Sequence, residues 1–149
     1  MSPLMLPAAM LFAAVPDAMP IPPPEGAHAA TIVDLGDGSF EVRTTGEDPY
    51  VLFGRVPLPF DHQRLKVLAF EYLADEGLDF FEVFFNSESR GWAAWHGPAV
   101  EPSAEWRALA VDLSRATRDG WVDDVDWFRI DVGSGEGKTV RIRNVVLRT

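Results

Sequence analysis

The chain has no cysteine among its 149 residues. That absence excludes disulfides, thiolate metal ligands, thiol nucleophiles and lipid attachment through sulfur. Basic residues are scarce as well: 13 Lys and Arg against 23 Asp and Glu give a formal charge of -10. Such a surface repels phosphate backbones and anionic headgroups, so neither nucleic acid nor a membrane surface is an expected partner. No apolar run reaches the roughly 20 residues needed to cross a bilayer, so no stable membrane insertion is expected. Histidine occurs three times, at His28, His62 and His96, too scattered to hold zinc without cysteine. Catalytic signatures are missing too. There is no G-x-S-x-G elbow, and "GSGEGK" at 133–138 has neither phosphate-loop spacing nor a helix after it. The chain reads as a non-enzyme without a cofactor.

What is present is a globular composition, with 47% hydrophobic and 24% charged residues in a chain the size of one domain. Residues 1–30 stand apart. They hold no Lys or Arg and seven of the twelve prolines. The apolar run Leu4–Val15 has the length of a signal-peptide core, and Ala27-His28-Ala29 has the form of a cleavage site, though far from that run and without a basic start. Two readings follow: a leader for export to the cell envelope or beyond, or a Pro-rich linker.

From Thr31 to the end, eight stretches rich in branched and aromatic residues alternate with turn signals. They are "TIVDL", "FEVRT", "YVLFGRV", "LKVLAFEYL", "FFEVFF", "WRALAVDLS", "DWFRIDVG" and "TVRIRNVVLR". Gly36-Asp37-Gly38-Ser39 joins the first two as a hairpin connection. Because successive strand residues point to opposite faces, Leu109/Val111/Leu113, Phe128/Ile130/Val132 and Phe81/Val83/Phe85 are predicted core rows. In the last stretch the apolar phase slips at Arg143-Asn144, as a β-bulge makes it do. Eight strands with one apolar face each predict an all-β, two-sheet β-sandwich of the jelly-roll kind over residues 31–149.

The anchors in this pattern resemble those of the galactose-binding-domain-like jelly rolls, a superfamily with many carbohydrate-binding modules. The matching positions are Gly46, Asp48, Pro49 and Tyr50 in a turn; Trp106, Asp112 and Leu113 around a later strand; and Trp121, Arg129, Ile130 and Asp131 near the end. The resemblance covers residues 31–149. It implies a carbohydrate or glycan partner, with other domains or proteins as the alternative, and structural roles for Trp106 and Trp121.

Two groups of residues are candidates for ligand contact. The first is "RGWAAWHGP", where Arg90, Trp92, Trp95 and His96 fall in the long connection from Ser87 to Glu105, with Asn86 and Glu88 nearby. Flat indoles suit the C–H face of a pyranose, and the polar side chains suit its hydroxyls. The same stretch also reads as a strand, in which the odd spacing of Trp92 and Trp95 lets at most one face the core. The second group is the face opposite the core rows: Phe80, Glu82 and Phe84 with Trp127, Arg129 and Asp131. It is a binding surface if the strands are neighbours, and covered packing otherwise. Calcium has oxygen donors available in Asp123, Asp124, Asp126, Glu47 and Asp48, but no Asp-x-Asp-x-Asp-Gly loop to organise them.

Overall fold

The computed structural model of the chain describes residues 17–56 and 60–149. The apolar run Leu4–Val15 lies outside them. Eleven strands make up two antiparallel sheets. In chain order they are β1 (Ala18–Pro20), β2 (Pro24–His28), β3 (Ala30–Asp34), β4 (Ser39–Thr44), β5 (Tyr50–Arg55), β6 (Val67–Leu73), β7 (Phe81–Ser87), β8 (Gly91–His96), β9 (Arg107–Asp112), β10 (Val125–Val132) and β11 (Thr139–Arg148). The first sheet runs β3-β4-β11-β6-β9, with β1 added beside β11; the second runs β2-β5-β10-β7-β8. Both are meeting places of distant segments, as a jelly roll requires, and the expected two-sheet sandwich is what forms. Among the described residues, no helix is long and apolar enough to cross a membrane.

The core lies where the predicted rows put it. Val42, Leu68, Phe70, Val111, Val140, Ile142 and Leu147 come from the first sheet. Val51, Phe53, Phe81, Val83, Phe85, Phe128, Ile130 and Val132 face them from the second. Each is at most 4% exposed, and Phe70 meets Phe81 edge-on across the interface at 5.4 Å. The slip in β11 is a bulge: the register with β6 shifts between Arg143 and Val146. Asn144 takes a left-handed conformation there (φ 55°), and its amide donates to Glu71 Oε2 at 2.7 Å. Residues before the bulge pair with β4, and those after it with β1.

Two strands, β1 and β2, were not foreseen, and a third, β8, was one of two readings of its stretch; all three are short additions at sheet margins, where local signals are weak. β1 and β2 come from the Pro-rich segment. Proline lacks an N–H, and Pro20 and Pro24 sit on strands paired on one side only, where that loss is tolerated. Among the described residues the sheets therefore begin at residue 18, ahead of the expected 31, and the suggested cleavage site Ala27-His28-Ala29 lies at the junction of β2 and β3. The third addition is β8, so the tryptophan pair stands on an edge strand and not in a loop. A 3-10 turn, Thr117–Asp119, covers that edge: Ala94 N donates to Thr117 Oγ1 at 3.0 Å, and Arg118 Nη1 to the Trp92 carbonyl at 3.3 Å.

Trp121 anchors this end of the sandwich. Its indole N–H lies within hydrogen-bonding distance of the His62 and Leu65 carbonyls, at 3.1 and 3.2 Å, and its ring packs on Phe60 and Phe85. Trp121→Ala is expected to cost about 3–5 kcal/mol, the range for deleting a large buried aromatic. Urea unfolding followed by far-UV circular dichroism measures this, and a loss under 1 kcal/mol contradicts the assigned anchoring role.

Candidate functional site

The outward face of the second sheet carries the chemistry. Period-two alternation sends Trp127, Arg129 and Asp131 of β10 to this face, because Phe128, Ile130 and Val132 are committed to the core. Its neighbours contribute in register. Tyr50 and Leu52 come from β5, Glu82, Phe84 and Asn86 from β7, and Trp92, Ala94 and His96 from β8.

Arg129 is the centre. Its guanidinium carbon lies 4.0 Å from the Tyr50 ring centre, 4.4 Å from that of Phe84 and 5.9 Å from that of Trp92. Tyr50 stacks on His28 of β2 at 5.1 Å, and Phe84 meets His96 of β8 edge-on at 6.1 Å. The result is a continuous column, His28–Tyr50–Arg129–Phe84–His96, with one member from each of the five strands. Cation–π contacts of this kind contribute about 0.5–1 kcal/mol when exposed and about 2 when desolvated. Arg129 is mostly desolvated, with its side chain 17% exposed.

Beneath the column lies Asp131, 3% exposed. Arg129 Nη2 donates to its Oδ2 at 3.1 Å. Nε stands 2.9 Å from Oδ1 without the alignment of a hydrogen bond, so both atoms are buried and lack a partner. Burial pushes the Asp131 carboxyl up to about 7; Arg129 opposes the rise, and the charges of Asp48 and Glu82 reinforce it. Glu82, directly across from Asp131, turns to His96 Nδ1 and hydrogen-bonds it.

Beside the column the sheet is hollowed. Three register shifts converge there: between Pro24 and Gly26 on β2, between Trp127 and Arg129 where β10 meets β5, and between Val125 and Trp127 where β10 meets β7. Bulges twist and bend strands and re-aim side chains. The hollow has a volume of about 360 Å³ and is bounded by Glu25, Leu52, Gly54, Arg55, Trp92, Trp127 and Arg129. Trp92 and Trp127 form one wall, their rings 4.4 Å apart and nearly perpendicular (77°), with Asn86 paired to both in the ladder. Trp92 is 45% exposed, the most open large apolar side chain described.

Of the predicted site residues, Trp92, Trp127, Arg129, Phe84 and His96 come together on this face. Arg129 covers one face of the Phe84 ring, and His96 meets that ring edge-on. Three residues are not brought in. Trp95, opposite Val83 in the ladder, packs against the core. Arg90 is exposed in the turn between β7 and β8. Phe80 precedes β7, half-buried, and the ring contacts of the column do not include it. Sequence reasoning missed Tyr50, His28, Glu25 and Gly54. Alternation in "YVLFGRV" pointed to Tyr50 and Leu52 as a face; nothing local marked Glu25 or His28.

As for metals, among the described residues no three His, Asp or Glu side chains converge on a common point. Asp124 instead accepts from the backbone N–H and hydroxyl of Ser89.

No family model and no curated protein sequence matches the chain. Solved structures do. A family 29 carbohydrate-binding module superposes with a TM-score of 0.58 at 20% identity, over 81% of this chain and 74% of that one. An aspartate-to-alanine variant of such a module in complex with mannohexaose gives 0.59 at 17% identity, over 87% and 89%. A lysine-to-alanine variant in complex with cellulohexaose gives 0.56 at 19%, again over 87% and 89%. The chain has the jelly-roll fold of carbohydrate-binding modules.

Proposed function

We propose that the outward face of the second sheet binds a neutral glycan chain, without catalysing any change in it. The observation that carries this reading is the hollow walled by the perpendicular Trp92–Trp127 pair. An open indole face beside a few fixed polar groups is the arrangement that accepts a hexose: apolar contact from the ring, hydrogen bonds from Arg55, Arg129 and Glu25. The volume lies toward the lower end of small-ligand sites, about 300–1,000 Å³, as expected for a site that grips one or two sugar rings of a chain running across it. Neighbours in the fold support the choice of ligand, since family 29 modules have been solved with mannohexaose and cellulohexaose bound. In variants made to probe ligand recognition there, an arginine and an aspartate two positions apart are each replaced by alanine. Arg129 and Asp131 have that spacing here.

The geometry supports binding over hydrolysis: Asp131, whose carboxyl burial raises to about 7, is 3% exposed and covered by Arg129. A purely structural role for the indoles fits Trp121 and Trp95 but not Trp92. We place the module at the cell surface or outside the cell, where polysaccharide chains are met.

Calorimetry with mannohexaose and cellohexaose tests the proposal. Trp92→Ala and Trp127→Ala are each expected to weaken binding about tenfold, the equivalent of about 1.4 kcal/mol. Trp95→Ala is expected to leave affinity unchanged and lower the unfolding temperature. Little dependence on salt is expected, because no counterion release drives association. Equal affinity in all three variants, or no binding by the native protein, rejects the reading.

The pH dependence of stability follows from Asp131. Its folded carboxyl titrates above its unfolded value of 3.8, at about 7, so the folded state holds the proton more tightly. Its contribution is fully present below about pH 4 and is lost as pH rises through 7. Native protein is therefore expected to lose unfolding temperature relative to Asp131→Asn between pH 4 and 8. A difference that is flat, or of opposite slope, over that window contradicts the raised carboxyl.

A further inference from the structure

Glu25 has a placement that packing does not explain. It sits at the register shift of β2, so the extra residue of the bulge turns its side chain over β5. There the facing residue is Gly54. A methyl group at position 54 would fall 2.5 Å from Glu25 Oε1 and 2.9 Å from its Cδ. Glycine thus makes the room in which this carboxylate lies, on the rim of the hollow opposite the tryptophan wall. Glu25 is exposed and makes no hydrogen bond or ion pair with any described residue; Glu88 and Glu136 are equally free, and what sets Glu25 apart is its place on the lining of the hollow. A bulge on β2 and a glycine on β5 together make that placement.

We infer that Glu25, cradled by Gly54, is the specificity-determining residue of the hollow, accepting hydrogen bonds from a vicinal hydroxyl pair of a neutral hexose and turning away uronate and sulfated sugars. The inference rests on the glycan-binding reading above and adds to it the ligand's charge class and the group that selects it. A carboxylate has two acceptor oxygens in one plane, a match for two vicinal gauche hydroxyls, both equatorial in a glucose ring and axial–equatorial in a mannose ring. An anionic sugar brought to the same place meets an uncompensated like charge, and such repulsion is an effective filter against a wrong partner.

The test is calorimetry of the native protein, Glu25→Gln, Glu25→Ala, Gly54→Ala and the Glu25→Ala/Gly54→Ala double variant. The probes are mannohexaose, cellohexaose and a hexameric galacturonate. Native protein is expected to bind a neutral hexaose and not the galacturonate. Glu25→Gln and Glu25→Ala are expected to lose about tenfold or more for the neutral ligand, as a charged hydrogen bond contributes. Glu25→Gln is also expected to gain measurable affinity for the galacturonate. Gly54→Ala displaces the carboxylate without removing it, so it should weaken binding alone and add nothing to Glu25→Ala, a non-additivity that only a shared mechanism gives. Unfolding temperatures check that the variants fold; Glu25 is exposed, so its two single variants stand even if Gly54→Ala does not fold. Native binding of a neutral hexaose with Glu25→Gln unchanged overturns this inference alone. Failure of the native protein to bind either neutral hexaose overturns the glycan reading and this inference together.

Discussion

The site depends on one interaction, the clamping of the Arg129 guanidinium between the rings of Tyr50 and Phe84 above a buried carboxyl. An arginine on an open sheet surface ordinarily samples many rotamers, and ordering it costs side-chain entropy when a ligand arrives. Here that cost is met during folding. Rings on both sides and Asp131 below fix the guanidinium, and the fixed guanidinium in turn holds Tyr50 against His28 and keeps Phe84 upright. Because each of the five strands contributes one member, the column also ties the ladder together on the side where no second sheet packs. The arrangement leaves Asp131 and Arg129 short of hydrogen bonds, a local cost that a purely structural face has no reason to carry.

The two outward faces of the sandwich divide the work. On the first sheet, Glu41 lies between Arg43 and Arg141, while Glu71 pairs with Arg143, whose guanidinium covers the Trp106 ring at 3.9 Å. The carboxylates Glu41 and Glu71 there are both paired. On the second sheet the bulges break the ladder, a glycine opens the floor, and the Trp92 indole and the Glu25 carboxylate stay exposed. The same alternation that builds one core thus produces two outward faces of different chemistry.

Much of this was legible in the sequence, for a definite reason. Where a strand buries one face completely, as with Phe81/Val83/Phe85 or Phe128/Ile130/Val132, alternation specifies both the core row and, by subtraction, the outward residues Phe84, Trp127 and Arg129. The phase slip in "TVRIRNVVLR" likewise marked the bulge at Asn144. Of the marginal strands, β1 and β2 escaped, and β8 was only one of two readings of its stretch. "PEGAH" has neither alternation nor branched residues, and becomes a strand only because β5 offers it a partner. "GWAAWH" is small and aromatic by turns, and its pairing with β7 is a tertiary event. Those two segments bring Glu25 and Trp92 to opposite sides of the hollow, so its position followed from the pattern and its full composition did not. Trp95 shows the same limit: odd spacing allowed at most one indole to turn inward and did not say which.

The convergence of three bulges has a consequence for how such a surface diverges. A bulge is one residue more on one strand than on its neighbour, so removing that residue restores a flat ladder without changing which side chains face the core. The contour of the hollow is accordingly encoded in local chain length more than in side-chain identity. A single-residue insertion or deletion at β2, β5 or β10 would therefore reshape the depression while leaving the core rows in place.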